Sequence, residues 1–126
     1  MFSLKSLPIF VTTMLISTVC HSAAFVCEYK VDSVSLHPGG PVYASLSQVG
    51  GPGKMTYMQF CSVEGPLNGM TASSCKAMLA VMINAKNTQA SVNLWFDGTK
   101  TFACTDANRS WQSMPETGFY FGPEIK

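Results

Sequence analysis

Residues 71–87 read TASSCKAMLAVMINAKN, and the reading of this stretch decides the fold. Cys75, Met78, Leu79, Met82 and Lys86 fall at i, i+3, i+4, i+7 and i+11, and Ala72, Ala77, Ala80 and Ala85 are strong helix formers. The spacing predicts a helix of about four turns. Thr71 or Ser73 can cap its start, and Asn87 suits a left-handed stop. It is the one convincing helix, because the segments on either side alternate with a period of two.

Upstream, Cys27, Tyr29 and Val31 share one face, and Val34 and Leu36 continue it on even numbers. One extra residue near Asp32-Ser33 restores the face, so a β-bulge is expected there. His37-Pro38-Gly39-Gly40-Pro41 is a turn by composition. Val42, Ala44 and Leu46 alternate with Tyr43, Ser45 and Ser47 as a second strand, and Gly50-Gly51-Pro52-Gly53 breaks it. Met55 to Val63 is a third. Downstream, Val92, Leu94 and Phe96 form the inward face of a fourth strand, which puts Trp95 outward. Asp97-Gly98 is a hairpin signal that sends the chain back through Thr99 to Cys104. Thr105 to Pro115 reads as a polar loop. Thr117 to Phe121 is a last strand, ended by Gly122-Pro123.

Three strands, a helix and two strands match the order of a five-stranded, partly open oligonucleotide/oligosaccharide-binding (OB) barrel, with its helix between strands three and four. The fold class expected is therefore mostly β with one helix, as a small OB-like barrel held by two disulfides. The bulged first strand fits, because it bends to serve both halves of the barrel.

The compartment comes from the N-terminus. Lys5, the apolar stretch Leu7 to Val19 and the closing Ser22-Ala23-Ala24 have the layout of a cleaved export signal. Residues 1–24 are expected to be a signal peptide and residues 25–126 a single domain, secreted or periplasmic. Val19 and Ser17 before Cys20 do not suit lipid attachment. Four cysteines remain: Cys27, Cys61, Cys75 and Cys104. They lack any Cys-x-x-Cys, and in an exported chain they read as two disulfides, not as a metal site. Four cysteines allow three pairings. The OB topology favours Cys27 with Cys104, because strands one and four pair antiparallel. It also favours Cys61 with Cys75, at the end of strand three and the start of the helix.

Eight Lys and Arg face seven Asp and Glu, a net charge of +1 that loses Lys5 with the leader. No clustered basic face is present, so a nucleic-acid partner is not expected. No later segment is long and apolar enough to span a bilayer, and no membrane insertion is expected after cleavage. Past the leader His37 is the only histidine. It sits at a turn, where solvent exposure is the ordinary state, and no carboxylate pair stands out as an acid/base couple, so catalysis, metals and cofactors are not expected. Met55, Met58, Met78 and Met82 read as packing. Trp95, Asn108, Arg109 and Trp111 are the candidate ligand-binding residues: aromatic rings to stack on a sugar, an amide and a guanidinium to hydrogen-bond its hydroxyls. Loops between strands one and two and between four and five frame the ligand face in this fold. Asn108-Arg109-Ser110 also matches a glycosylation sequon, read here as chance.

Several of these residues carry a resemblance. Phe60-Cys61, Cys75, the helix ending Ala85-Lys86-Asn87, the strand Ala90-Ser91-Val92-Asn93-Leu94-Trp95 and the ending Phe121-Gly122-Pro123 are similar to the B subunits of subtilase cytotoxin and related toxins. That resemblance implies a disulfide-bonded barrel with one helix, a ring-shaped pentamer and sugar recognition. The family's serine-centred sialoglycan pocket is not assigned to any residue here. The function expected is thus a non-catalytic binding module, possible as a glycan-recognising toxin-B-like subunit that self-associates. The alternative is a free-standing periplasmic barrel that binds a protein or envelope component as an inhibitor or stress factor, and a small hydrolase is a third class.

Overall fold

A computed structural model describes residues 23–126; the proposed leader up to position 22, with Cys20, lies outside the described residues. The elements are β1 (Phe25–Leu36), β2 (Pro41–Gln48), β3 (Lys54–Ser62), α1 (Ala72–Thr88), β4 (Ser91–Phe96), β5 (Arg109–Ser110), a 3₁₀ turn (Met114–Thr117) and β6 (Phe119–Ile125). They build one six-stranded sheet in the order β5-β3-β2-β1-β4-β6.

The sheet curls on itself. β3 and β6 are four strands apart, which in a flat sheet is about 19 Å. Yet Phe60 of β3 and Phe119 of β6 meet edge to face with ring centroids 5.6 Å apart. β3 and β6 do not pair by backbone hydrogen bonds, so the expected barrel is open along this seam. The 3₁₀ turn fills it, with Met114 and Thr117 buried. The phase slip in β1 is a bulge, with the β1–β2 register shifting between Val31 and Ser33. Tyr29, Leu46, Met55, Met58, Leu94 and Phe96 fill the interior.

The helix packs against β1, β6 and β3. Thr71 caps it, its hydroxyl accepting from the Ser74 N–H. The buried face is Cys75, Met78, Met82 and Ala85; Lys86, read as part of that stripe, is exposed. The helix also runs past Asn87. Gln89, at φ 60°, is the left-handed residue that ends it, while the Thr88 hydroxyl bonds back to the Asn84 carbonyl and prolongs the last turn.

Both disulfides have the favoured pairing: Cys27–Cys104 and Cys61–Cys75, with Cα atoms 5.5 and 5.6 Å apart. Among the described residues no helix is long and apolar enough to cross a membrane.

Three expectations for the C-terminal third are corrected. Thr105 to Pro115 is not loop throughout: β5 pairs with the free edge of β3 and brings the sheet to six strands where five were expected. Asp97 does turn the chain, accepting from the Thr99 N–H and hydroxyl at 2.9 and 2.7 Å. These bonds hold its carboxyl below the usual carboxylate range. The return through Cys104 does not pair with β4, however. Burial of Phe102 wins: its ring lies 4.5 Å from Phe96 and 6.3 Å from Phe25, and the segment closes over one end of the interior. Gly53 permits this approach, since a Cβ there would fall 1.8 Å from the Cys104 carbonyl oxygen. The β4 edge goes instead to β6, which begins at Phe119 and not at Thr117. It continues past Gly122-Pro123 to Ile125. Gly122 and Pro123 together stand opposite Leu94, where the β4–β6 register shifts, and proline is tolerated at such a bulge on an edge strand. Glu28 anchors the end of β6: its carboxylate accepts from the Lys126 ammonium at 2.9 Å and the Ser91 hydroxyl at 2.7 Å. Lys126 first, then Ser91, lowers the Glu28 pKa.

Candidate functional site

The site starts from two irregularities in β3. Met55 and Met58 both face the interior although they stand three residues apart, so the period of two is broken by one extra residue. Leu46 and Ala44 of β2 lie opposite Met55 and Met58, and the register shifts between them. The extra residue is Tyr57, at φ 49°, whose N–H donates to the Ser45 hydroxyl at 3.0 Å. The bulge turns its ring to the outer surface.

The second irregularity lies along the free edge of β3. β5 pairs with it in parallel, Met55 with Arg109 and Thr56 with Ser110. Just beyond, the Trp111 N–H bonds the Thr56 carbonyl at 3.0 Å, and the Gln59 N–H bonds the Gln112 carbonyl at 2.8 Å. Held from both sides, Trp111 adopts φ 55°, and its ring stacks on Tyr57 with centroids 4.8 Å apart and planes 25° from parallel. A left-handed bulky residue costs on the order of 1–3 kcal/mol and persists only where its surroundings enforce it. Here two such residues stack on each other.

Tyr43 and His37 complete the surface. Tyr43 projects outward because Val42 and Ala44 face in. Its ring lies 5.7 Å from Trp111, and His37 lies 4.3 Å from Tyr43. The Tyr43 hydroxyl accepts from Gln59 Nε2 at 3.0 Å, and Gln59 Oε1 accepts from Ser113 at 3.3 Å. The result is an aromatic platform with hydroxyl, amide and imidazole groups at its rim. Trp111 is 62 % exposed: one face is covered by Tyr57 and the other is open.

The four residues named from sequence fall in three settings. Trp111 belongs to the platform. Asn108 is exposed and lines a shallow cleft of about 280 Å³ with Asp106, Ala107, Arg109 and Gln112. Arg109 is committed within the fold: it bonds Asp106 and Gln112 at 3.2 Å each and the Thr101 carbonyl, and lies over the Phe102 ring. Trp95 is outward-facing, as alternation implied, but three strands separate β4 from β5 in the sheet order. It forms a row with Val26 and Phe121, which are 42 % and 55 % exposed, and its indole N–H donates to Glu124 at 2.7 Å. His37, expected to face solvent, is half-buried against Tyr43. Tyr43 and Tyr57 were missed as site residues; the three-residue step from Met55 to Met58 was the available signal for Tyr57. A second cleft, of about 350 Å³, opens at the seam over Phe60, Asn68, Met70, Met114, Phe119 and Tyr120.

No protein-family model, curated protein or solved structure matches the chain. Its residues define a class by themselves: a mostly β domain with one helix, a curled six-stranded sheet and two disulfides. An aromatic platform is exposed on β2, β3 and the segment after β5.

Proposed function

We propose that this chain is an exported, non-catalytic carbohydrate-binding module whose ligand stacks on the open face of Trp111. The observation that carries the reading is the stacked Trp111–Tyr57 pair, both members in the left-handed region. Strain of this kind concentrates at ligand sites, and an aromatic face rimmed by hydrogen-bonding groups suits the C–H face and hydroxyls of a sugar. The leader pattern and the two disulfides support export, and the resemblance to toxin B subunits supports sugar recognition.

The test is Trp111→Gly, read by glycan-array binding and thermal melting. Glycine removes about 1–3 kcal/mol of left-handed strain. It forfeits roughly 0.5–1.5 kcal/mol of ring stacking and about 0.4–1 kcal/mol through the freer unfolded chain. The two sides nearly cancel, so stability should change by no more than about 2 kcal/mol in either direction. Binding should fall about 30-fold, the loss of a roughly 2 kcal/mol anchor. A wild-type protein that holds no saccharide, or a variant that binds as well as wild type, overturns the reading.

A protein-facing role is favoured by a separate observation, the Val26–Trp95–Phe121 row on the opposite part of the sheet. We place self-association there, in line with the toxin-like reading. Light scattering should give an oligomer for wild type and a monomer for Phe121→Asp; a monomeric wild type removes this assignment.

A further inference from the structure

We infer that the cleft at the open seam is a second binding site, for a small free molecule with an uncharged aromatic ring and a hydroxyl, a phenol in chemical class. None of its lining residues belongs to the platform, and the inference does not rest on the saccharide reading. Its volume of about 350 Å³ falls within the roughly 300–1,000 Å³ of small-molecule pockets.

The floor is aromatic and sulfur-bearing. Phe60 and Phe119 meet edge to face, with the buried Met114 and the half-buried Met70 beside them. Rings prefer offset or edge contacts with other rings, and thioether sulfur adds to such contacts. This floor favours a flat ring over an alkyl group of the same size. None of the lining residues carries a charge, so a charged ligand would lose hydration without a paired group in return.

The walls are preformed. Leu67 and Met70 exchange backbone hydrogen bonds at 3.1 and 3.0 Å, and Asn68 and Gly69 between them have φ 54° and 75°. Asn-Gly with both residues at positive φ is the favoured chemistry of a two-residue hairpin. Asn68 pins this hairpin to β3: its Nδ2 donates to the Gln59 and Phe60 carbonyls at 3.0 and 3.3 Å. The Cys61–Cys75 bridge ties the end of β3 to the start of α1. A site built in this way spares the ligand the cost of ordering it.

The rim sets the hydrogen bonding. With Nδ2 spent on β3, Asn68 Oδ1 is left as an acceptor that no donor meets among the described residues. Ser74 Oγ accepts from the Thr71 hydroxyl at 3.0 Å and keeps its own hydrogen to donate. A hydroxyl on the ring answers both. Ser74 is exposed while Phe60 and Met114 are buried, so the ring lies inward and the hydroxyl outward. A tyrosine side chain reaching in from a partner protein would have the opposite polarity, its hydroxyl against the apolar floor. A free molecule is the occupant that fits.

The experiment is an NMR titration of the disulfide-bonded protein with phenol, cyclohexanol, anisole and N-acetyltyrosinamide. Phenol should bind saturably with a Kd of about 1 mM, ordinary for so small a molecule. It should shift the amide signals of residues 68–74 and 114–120 and leave those of residues 109–112 in place. Cyclohexanol lacks the aromatic ring and anisole lacks the hydroxyl hydrogen, and each should bind at least about fivefold more weakly. N-acetyltyrosinamide should also bind more weakly than phenol. Ser74→Phe sets a ring in the mouth of the cleft while the backbone N–H of residue 74 stays on the Thr71 cap. It should abolish the phenol shifts with little change in melting temperature. Absence of saturable phenol binding, equal binding of the first three probes, or phenol binding that survives Ser74→Phe overturns the inference. Tighter binding of N-acetyltyrosinamide than of phenol assigns the cleft to a partner's side chain, and the same shifts on raising protein concentration alone assign it to a second copy; either result overturns it too. The saccharide reading stands apart from all of these outcomes.

Discussion

Replacing Cys27 and Cys104 together by alanine should cost the fold about 4.5 kcal/mol, against about 3 kcal/mol for the matching change at Cys61 and Cys75. The difference follows from loop length. The first bridge joins residues 77 positions apart and the second 14, and the unfolded chain regains more freedom when the longer loop is opened. A domain of this size has roughly 5–15 kcal/mol to lose, so the longer bridge alone is a large share. The consequence is also local. Residues 97–108 make no strand pairing, and Cys104 ties that segment to the start of β1 while Phe102 rests on Phe96 and Phe25. Without the bridge this cover should open first. Urea midpoints of the two double variants check the ranking. Equal costs, or a greater cost for the Cys61–Cys75 pair, would contradict it.

What could be read in advance was local in origin. The helix, its Thr71 cap and its buried Cys75, Met78 and Met82 follow from a 3.6-residue period and from residue types within one turn. The β1 bulge was legible because a slip of phase inside one strand leaves its mark in the apolar pattern. The disulfides followed once the strand order was known. The features that escaped depend on partners far away in the chain. Nothing near Phe102 says that it will leave a hairpin to lie on Phe96, and nothing near Pro123 says that its strand will be an edge. Asn87 was the better left-handed residue by type, but the Thr88 bond to Asn84 carries the helix on to Gln89.

The site divides along the same line. Trp111 was legible as an exposed aromatic in a polar loop, and Tyr43 had the outward phase of β2. Tyr57 was hidden because it occupies the one position where the alternation of β3 fails. Arg109 was read as a ligand donor because its residue type suits sugars. Asp106, three residues earlier, was the sign that its charge would be used inside the fold. Trp95 was placed on the correct face, but face alone does not say which strands lie between it and Trp111.

Truncation of the aromatic hub at Phe96 should be the most damaging single change, at about 3–5 kcal/mol for Phe96→Ala. Phe96 is fully buried. It touches Phe25 at 5.5 Å, Phe102 at 4.5 Å and Phe119 at 6.2 Å, and so joins β1, the 97–108 cover and β6 around one ring. Phe119 in turn leans on Phe60 across the seam. Because no ladder of hydrogen bonds joins β3 to β6, the seam depends on this packing, and a cavity at residue 96 removes one of the two rings that hold Phe119. The variant should therefore lose protection unevenly: hydrogen exchange at residues 114–121 should quicken well before exchange in β2. The platform is carried by β2, β3 and the segment after β5, with Trp111 and Gln112 fixed to Thr56 and Gln59. At low temperature, where the variant remains folded, saccharide affinity should accordingly stay within about twofold of wild type, a change of less than 0.5 kcal/mol. A uniform rise in exchange across the sheet would mean that the seam is no weaker than the paired strands, and that side-chain packing closes the curled sheet as firmly as a ladder does.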